Sequence, residues 1–171
     1  MKPKPPQPPL KPRPQPRGLA AELNKKRPFD LPEQEAWLSL LRTTSILAQP
    51  IEQLFKAHGL SESTYNALRI LRASEDGRPC SEVGRDLVAR VPDVTRLIDR
   101  LEKAGLASRS RETKDRRIVN IRITPKGLDL LKQLDQPLRD LHKQQFEPLT
   151  RAELADLIRT LEKLRSGAAH T

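Results

Sequence analysis

The chain has 171 residues, enough for one domain with a buried core. Hydrophobic residues make up 36%, charged residues 32% and aromatic residues only 3%, so the core must be Leu, Ile, Val and Ala, a palette that suits packed helices. The formal charge of +10 favours a polyanionic partner, the lone cysteine (Cys80) excludes an intramolecular disulfide, and no apolar run approaches the roughly 18 residues of a membrane span.

Residues 1–27 hold eight Lys or Arg and one Glu, a net +7, so the other 144 residues carry only +3. Eight of the 16 prolines fall in residues 1–17, MKPKPPQPPLKPRPQPR. Proline has no backbone donor, so the sequence predicts neither helix nor sheet there. A solvated, disordered, basic tail over 1–27 is expected. It reads as an unstructured extension, an arm that grips phosphates, or a ligand for a proline-binding module. The N-terminus has no apolar core of a secretory signal, which makes the cytoplasm, at the nucleoid, the expected compartment.

Residues 33–57 read as a long helix, with Trp37, Leu41, Leu47, Ile51, Leu54 and Phe55 near helical spacing. Pro50 is expected to kink or break it. Ser61 should cap a second helix that buries Tyr65, Leu68, Ile70 and Leu71. Asp76-Gly77 is a turn signal. Ser81 should cap a short helix with Val83, Leu87 and Val88 facing inward. The next helix should start near Val91-Pro92 and end at Gly105, a C′ glycine.

Residues 106–111 and 116–123 alternate as strands do, and Glu112-Thr113-Lys114-Asp115 suits a hairpin tip. Thr124 and Pro125 open another helix, with Leu128, Leu130, Leu131, Leu134 and Leu138 on its apolar face and Pro137 placed to bend it. Thr150 and Glu153 form a capping-box pair for the last helix. Its Leu154, Leu157, Ile158, Leu161 and Leu164 follow a helical rhythm.

A helix-turn-helix that runs into a charged hairpin is a DNA-reading arrangement: one helix enters the major groove and the hairpin reaches the backbone or the adjacent minor groove. Residues 81–126 support this with 12 Lys or Arg against 7 Asp or Glu. In the helix over 91–104, Val94, Leu97, Ile98 and Leu101 make the buried stripe. The opposite face offers Pro92, Asp93, Thr95 and Arg96 for base edges, because arginine can grip guanine and aspartate can accept from cytosine. Arg90, Arg100 and Lys103 are better placed for phosphates. The hairpin adds Arg109, Arg111, Lys114, Arg116 and Arg117. Asp115 stands two residues before Arg117 and could steer its guanidinium into a narrow minor groove.

Together the segments SEVGRDL, VTRLIDRLEKAGL, the DRR tip and ITPKGLDLL resemble the MarR family of bacterial transcription regulators, from about residue 33 to 167. The resemblance implies a mainly α fold with a small β-wing over residues 28–171. Its parts would be a winged helix-turn-helix lobe at about 61–123 and dimerisation helices at about 33–57 and 125–166. It implies an obligate homodimer, with Arg96 and its neighbours in the recognition-helix slots and Asp115 and Arg117 in the wing-tip D-x-R. A small capping residue often precedes the recognition helix in this family; Arg90 stands there instead, which leaves the start of the helix and the slot of Asp93 open.

The resemblance further implies a repressor, of the kind released by a small, often phenolic, ligand or by cysteine oxidation. Trp37, Phe55 and Tyr65 could line such a ligand's crevice; Trp37 and Phe55 suit plain dimer core equally well. Cys80, next to a helix start, is the redox candidate, and a small residue in a short strand is its plainer reading. His58, His142 and His170 are scattered, so no metal site is expected, and no cofactor or catalytic motif is found. A regulator binding double-stranded DNA at a near-palindromic promoter site is the leading expectation. A sequence-tolerant nucleic-acid binder driven by the basic tail is the alternative.

Overall fold

The computed structural model describes residues 18–74, 76–111 and 119–168. The element order within them is α1 (Gly18–Glu22), α2 (Pro32–Ala57), α3 (Glu62–Arg72), β1 (Arg78–Pro79), α4 (Cys80–Asp86), α5 (Val94–Lys103), β2 (Ala107–Arg111), β3 (Val119–Ile123), α6 (Pro125–Phe146) and α7 (Arg151–Ala168). The fold is mainly helical with one small antiparallel sheet. The described residues divide into two compact units, one ending at Ile46 and one beginning at Leu47.

In the first unit, α1 lies inside the segment read as tail, and its Leu19 is buried. Arg42 of α2 pairs with Glu22 at 3.0 Å. α2 starts at Pro32, where a proline costs nothing because the first helical N–H groups lack partners anyway. Pro50 does not break this helix, which is a single run of 26 residues. An internal proline costs a helix about 3 kcal/mol. Just beyond it Phe55 is fully buried, with Ile51 and Leu54 packed on the same core, and their burial offsets that cost.

Helix α3 opens with a capping box: Ser61 Oγ accepts from Thr64 N at 3.3 Å and Thr64 Oγ1 accepts from Ser61 N at 2.8 Å. Tyr65, Leu68 and Leu71 are buried as expected, and Ile70 is half-buried. Helix α4 differs from expectation. It begins at Cys80, with Pro79 as the cap and Ser81 already inside its first turn. The cause is the sheet: β1 pairs with β3 through Pro79, opposite Asn120, so the chain is held extended up to that residue and turns helical at once. Val83 and Leu87 are buried, but Val88 is 85% exposed because it lies past the helix end, in the turn toward α5.

The sheet order is β1-β3-β2, all antiparallel, with Ala107 opposite Ile123 and Arg111 opposite Val119. Gly105 ends the turn after α5 at φ +71°, the left-handed conformation a C′ glycine supplies. Thr124 caps α6 by accepting from Gly127 N at 3.2 Å, with Pro125 at its first position. A Cβ on Gly127 would land on the Leu106 carbonyl oxygen and lie 2.8 Å from Ile123 Cγ1, so only glycine lets α6 approach the sheet this closely. Pro137 leaves α6 continuous.

The core of the second unit joins Leu68 and Leu71 of α3, Leu97, Ile98 and Leu101 of α5, Ile121 of β3, and Leu131 and Leu134 of α6. Arg72 and Asp135 fasten α3 to α6 by a two-pronged ion pair at 2.7 and 3.0 Å. The guanidinium holds the Asp135 carboxyl below the usual carboxylate range. Helix α7 has the expected Thr150–Glu153 capping box, with Glu153 Oε2 accepting from Thr150 N at 2.7 Å. Its apolar stripe is not covered: Ile158 and Leu164 are 58% and 55% exposed.

Candidate nucleic-acid interface

Helix α5 starts at Val94, later than Val91-Pro92, because Asp93 is its N-cap. Asp93 Oδ1 accepts from Arg96 N at 2.9 Å, and Oδ2 pairs with Arg96 Nε at 3.2 Å. The Asp93 carboxylate is therefore committed to the helix end. Leu97, Ile98 and Leu101 anchor the helix in the core. Val94 packs so closely on α4 that a Cβ on Gly84 would lie 2.7 Å from its Cγ2. These anchors leave Pro92, Thr95, Arg96, Arg100 and Lys103 exposed, with Arg90 exposed in the turn before them. The Arg96 side chain is 82% exposed. Arg100 Nε donates to the Arg96 carbonyl at 3.3 Å.

The wing strands β2 and β3 follow. The Arg111 side chain, Lys114, Asp115, Arg116 and Arg117 lie outside the described residues. Arg109 is turned back onto α5: its guanidinium pairs with Asp99 at 2.7 Å and with Glu102, and its backbone N–H donates to Glu102 Oε1 at 2.9 Å. The side chain is 32% exposed. Its bond to Asp99 raises the guanidinium pKa further, so the group stays charged. Arg109 thus straps the wing to the exposed helix, with its charge already matched by two carboxylates.

A cavity of about 670 Å³ lies beside α3 and the α4–α5 turn. Ile51, Leu60, Leu87 and Leu138 give it apolar walls, and Lys56, His142 and Asn66 bring polar groups. Phe55 and Tyr65 both line it, their rings stacked with centroids 4.3 Å apart. Trp37, grouped with them from sequence, is 60% exposed on α2. Asn66 Oδ1 accepts from Val88 N at 2.9 Å, tying α3 to the turn.

Cys80 is half-buried as the first residue of α4, not a residue before its cap. His58 Nδ1 lies 2.9 Å from the Leu54 carbonyl, and His142 is at the cavity; His170 is outside the described residues. Among the described residues no His, Cys, Asp and Glu side chains converge to hold a metal, and no helix is long and apolar enough to cross a membrane.

The MarR family model matches residues 60–119, from the cavity wall through α5 into the wing. The transcriptional repressor MprA of Escherichia coli K12 is 30% identical over 141 residues, 80% of each chain. The chain belongs to the MarR family. A MarR transcription factor from Planctomyces limnophilus is 40% identical, with a TM-score of 0.61 over 79% of this chain and 98% of that one. At the level of fold alone, it resembles Bordetella bronchiseptica BpsR, whose DNA binding is regulated by 6-hydroxynicotinic acid (21% identity, TM-score 0.67, 77% of this chain and 98% of that one). As a member of the MarR family, the chain is a DNA-binding transcriptional regulator.

Sequence reasoning missed three side chains in this MarR-type lobe: Asn66, Asp99 as a strap partner, and Glu102. Asp99 and Glu102 are spaced i, i+3 on α5, which does place two carboxylates side by side on one face. Nothing local announced Arg109 as their shared partner.

Proposed function

We propose that this MarR-family chain is a homodimeric repressor that covers a near-palindromic promoter site and is released when a phenolic or other aromatic small molecule fills the cavity beside Phe55 and Tyr65. The DNA half rests on one observation: Arg96, 82% exposed, stands at the capped N-terminal end of a helix whose other face is locked in the core. The N-terminal residues of such a helix meet base edges. Pro92, Thr95 and Arg96 read bases, and Arg90, Arg100 and Lys103 grip phosphates. The wing adds Arg111, Lys114, Arg116 and Arg117, with Asp115 aiming the last of these. Asp93 acts through the cap and through Arg96.

Dimerisation is supported by the uncovered apolar stripe of α7, which a second copy would bury. Two recognition helices in a dimer then enter successive major grooves roughly 34 Å apart. The effector reading is supported by the cavity's size and its stacked rings, since small-molecule sites run from about 300 to 1,000 Å³. The regulator works in the cytoplasm, at the nucleoid.

Fluorescence anisotropy tests this on DNA from upstream of the protein's own gene, against random competitor over a salt series. Tight binding that survives competitor at physiological salt is expected. Arg96→Ala should lose the preference for the specific site. Arg100→Ala should weaken all sequences alike and lower the salt slope by about 1. Equal losses on specific and random DNA for Arg96→Ala would count against base reading.

A further inference from the structure

The turn from Val88 to Pro92 connects α4 to the cap of the DNA-reading helix. Its anchorage is slight. Leu87 is buried just before it and Val91 is half-buried within it, while Val88, Ala89, Arg90 and Pro92 are exposed. Among the described residues, the hydrogen bond holding residues 88–92 is the one from Val88 N to Asn66 Oδ1, 2.9 Å long and spanning 22 positions of sequence. Asn66 sits on the α3 face that lines the cavity, and Val88 and Ala89 line the same cavity. The neighbouring α3 residues Ala67 and Leu68 are fully buried, so the helix carrying Asn66 is itself fixed.

We propose that Asn66 is a positioning residue that couples the cavity to the DNA-reading helix: its carboxamide oxygen, in the cavity wall, holds the turn that launches α5. This rests on the reading of the cavity as an effector site. A molecule that fills the space lined by Phe55, Tyr65 and the turn shares that space with Asn66. If it takes the carboxamide as its own partner or pushes Val88 aside, the turn is released. The buried stripe of α5 keeps the helix folded, and the start of the helix, where Thr95 and Arg96 stand, loses its fixed direction. Val88 is exposed, so water can satisfy its N–H once Asn66 lets go, and release costs no more than one net hydrogen bond. A modest differential contact is then enough to shift the balance between a held and a released turn.

The test needs a DNA site selected by the wild-type protein from a random-sequence pool. Without ligand, Asn66→Ala should weaken binding to that site about three- to tenfold, the effect of one net hydrogen bond. Random-DNA affinity and the thermal midpoint should stay near wild type. Asn66→Asp, which keeps an acceptor oxygen in place, should restore most of the loss. Unchanged specific affinity in Asn66→Ala, or equal losses on specific and random DNA with a lowered midpoint, would overturn the positioning role. The second arm adds 1-anilinonaphthalene-8-sulfonate, an aromatic probe whose fluorescence reports occupancy. It should weaken wild-type DNA binding and leave Asn66→Ala little changed. Equal weakening of both proteins overturns the coupling while the effector reading stands. A probe that leaves wild-type DNA binding unaltered overturns the effector reading of this cavity and the coupling with it, and the ligand-free arm still decides the positioning role by itself.

Discussion

Replacing Arg109 with methionine separates two roles for the same cation. The substitution keeps most of the aliphatic length and removes the guanidinium that bridges Asp99 and Glu102. Charge-assisted bonds of this kind are worth about 1.5–3 kcal/mol when well shielded. The side chains here are between a quarter and a half exposed, so solvent screening cuts the two together to roughly 1–2 kcal/mol. The vacated carboxylates then repel each other at i, i+3 spacing, adding a few tenths of a kcal/mol. For a chain of this size, each kcal/mol moves the thermal midpoint by about 2–4 °C. A fall of roughly 2–8 °C is expected in circular dichroism melts, shrinking in 1 M salt as the ion pairs are screened. Adding Asp99→Asn and Glu102→Gln should recover part of it by removing the stranded charges. DNA affinity should fall together with stability. A variant that melts like wild type yet loses DNA binding would refute the strap and make Arg109 a direct contact.

Three further outcomes follow from the same geometry. Asp93→Ala removes the cap of α5 and should cost about 1 kcal/mol, measured by denaturant unfolding, whereas Asp93→Asn keeps an acceptor and should stay within a few tenths; a change in preferred DNA sequence for Asp93→Asn would instead make Asp93 a base reader. The Arg72 guanidinium depresses the Asp135 pKa, so this pair's contribution is full above the ordinary aspartate value of about 3.9 and is lost as pH falls through the lower folded value. Melts of Asp135→Asn should accordingly lie below wild type at neutral pH and converge with it in that acid window; a gap that persisted there would exclude the ion pair as its source. Gly127→Ala forces the Leu106 carbonyl and α6 apart and should destabilise by about 1–3 kcal/mol, the usual cost of overpacking. A neutral result in urea unfolding would show that α6 can shift freely.

Features written in a few adjacent residues were legible from the sequence. The Thr150–Glu153 box, the Thr124-Pro125 start and the Gly105 stop each satisfy or terminate a helix end within one turn, so composition and spacing suffice. What escaped was set by partners far along the chain. Pro50 reads as a breaker until Phe55 is seen buried beyond it. Ser81 is a good local cap that the pairing of Pro79 with Asn120 overrides. Val88 looks like core by its neighbours and is exposed, because the helix it would extend stops at Asp86. At the site, the exposed face of α5 was readable from its wheel. Which charges on it are spoken for was not, since Arg109 meets Asp99 across a helix-to-strand turn and Asn66 meets Val88 across α4.

The Asp93–Arg96 pair bears on how quickly a regulator finds its address. A free arginine at the leading end of α5 would settle on any phosphate it passed, slowing travel along DNA. On the proposed reading Arg96 meets DNA with its own counter-charge 3.2 Å away, so a wrong stretch of duplex competes with a partner that never diffuses off. Exposed pairs of this kind are worth roughly 0.2–1 kcal/mol, enough to shorten each unproductive stop by a factor of about 1.5 to 5. A guanine edge, which offers two acceptors in one plane, repays the exchange. If Arg96 reads bases as proposed, the carboxylate that finishes the helix also hastens the search.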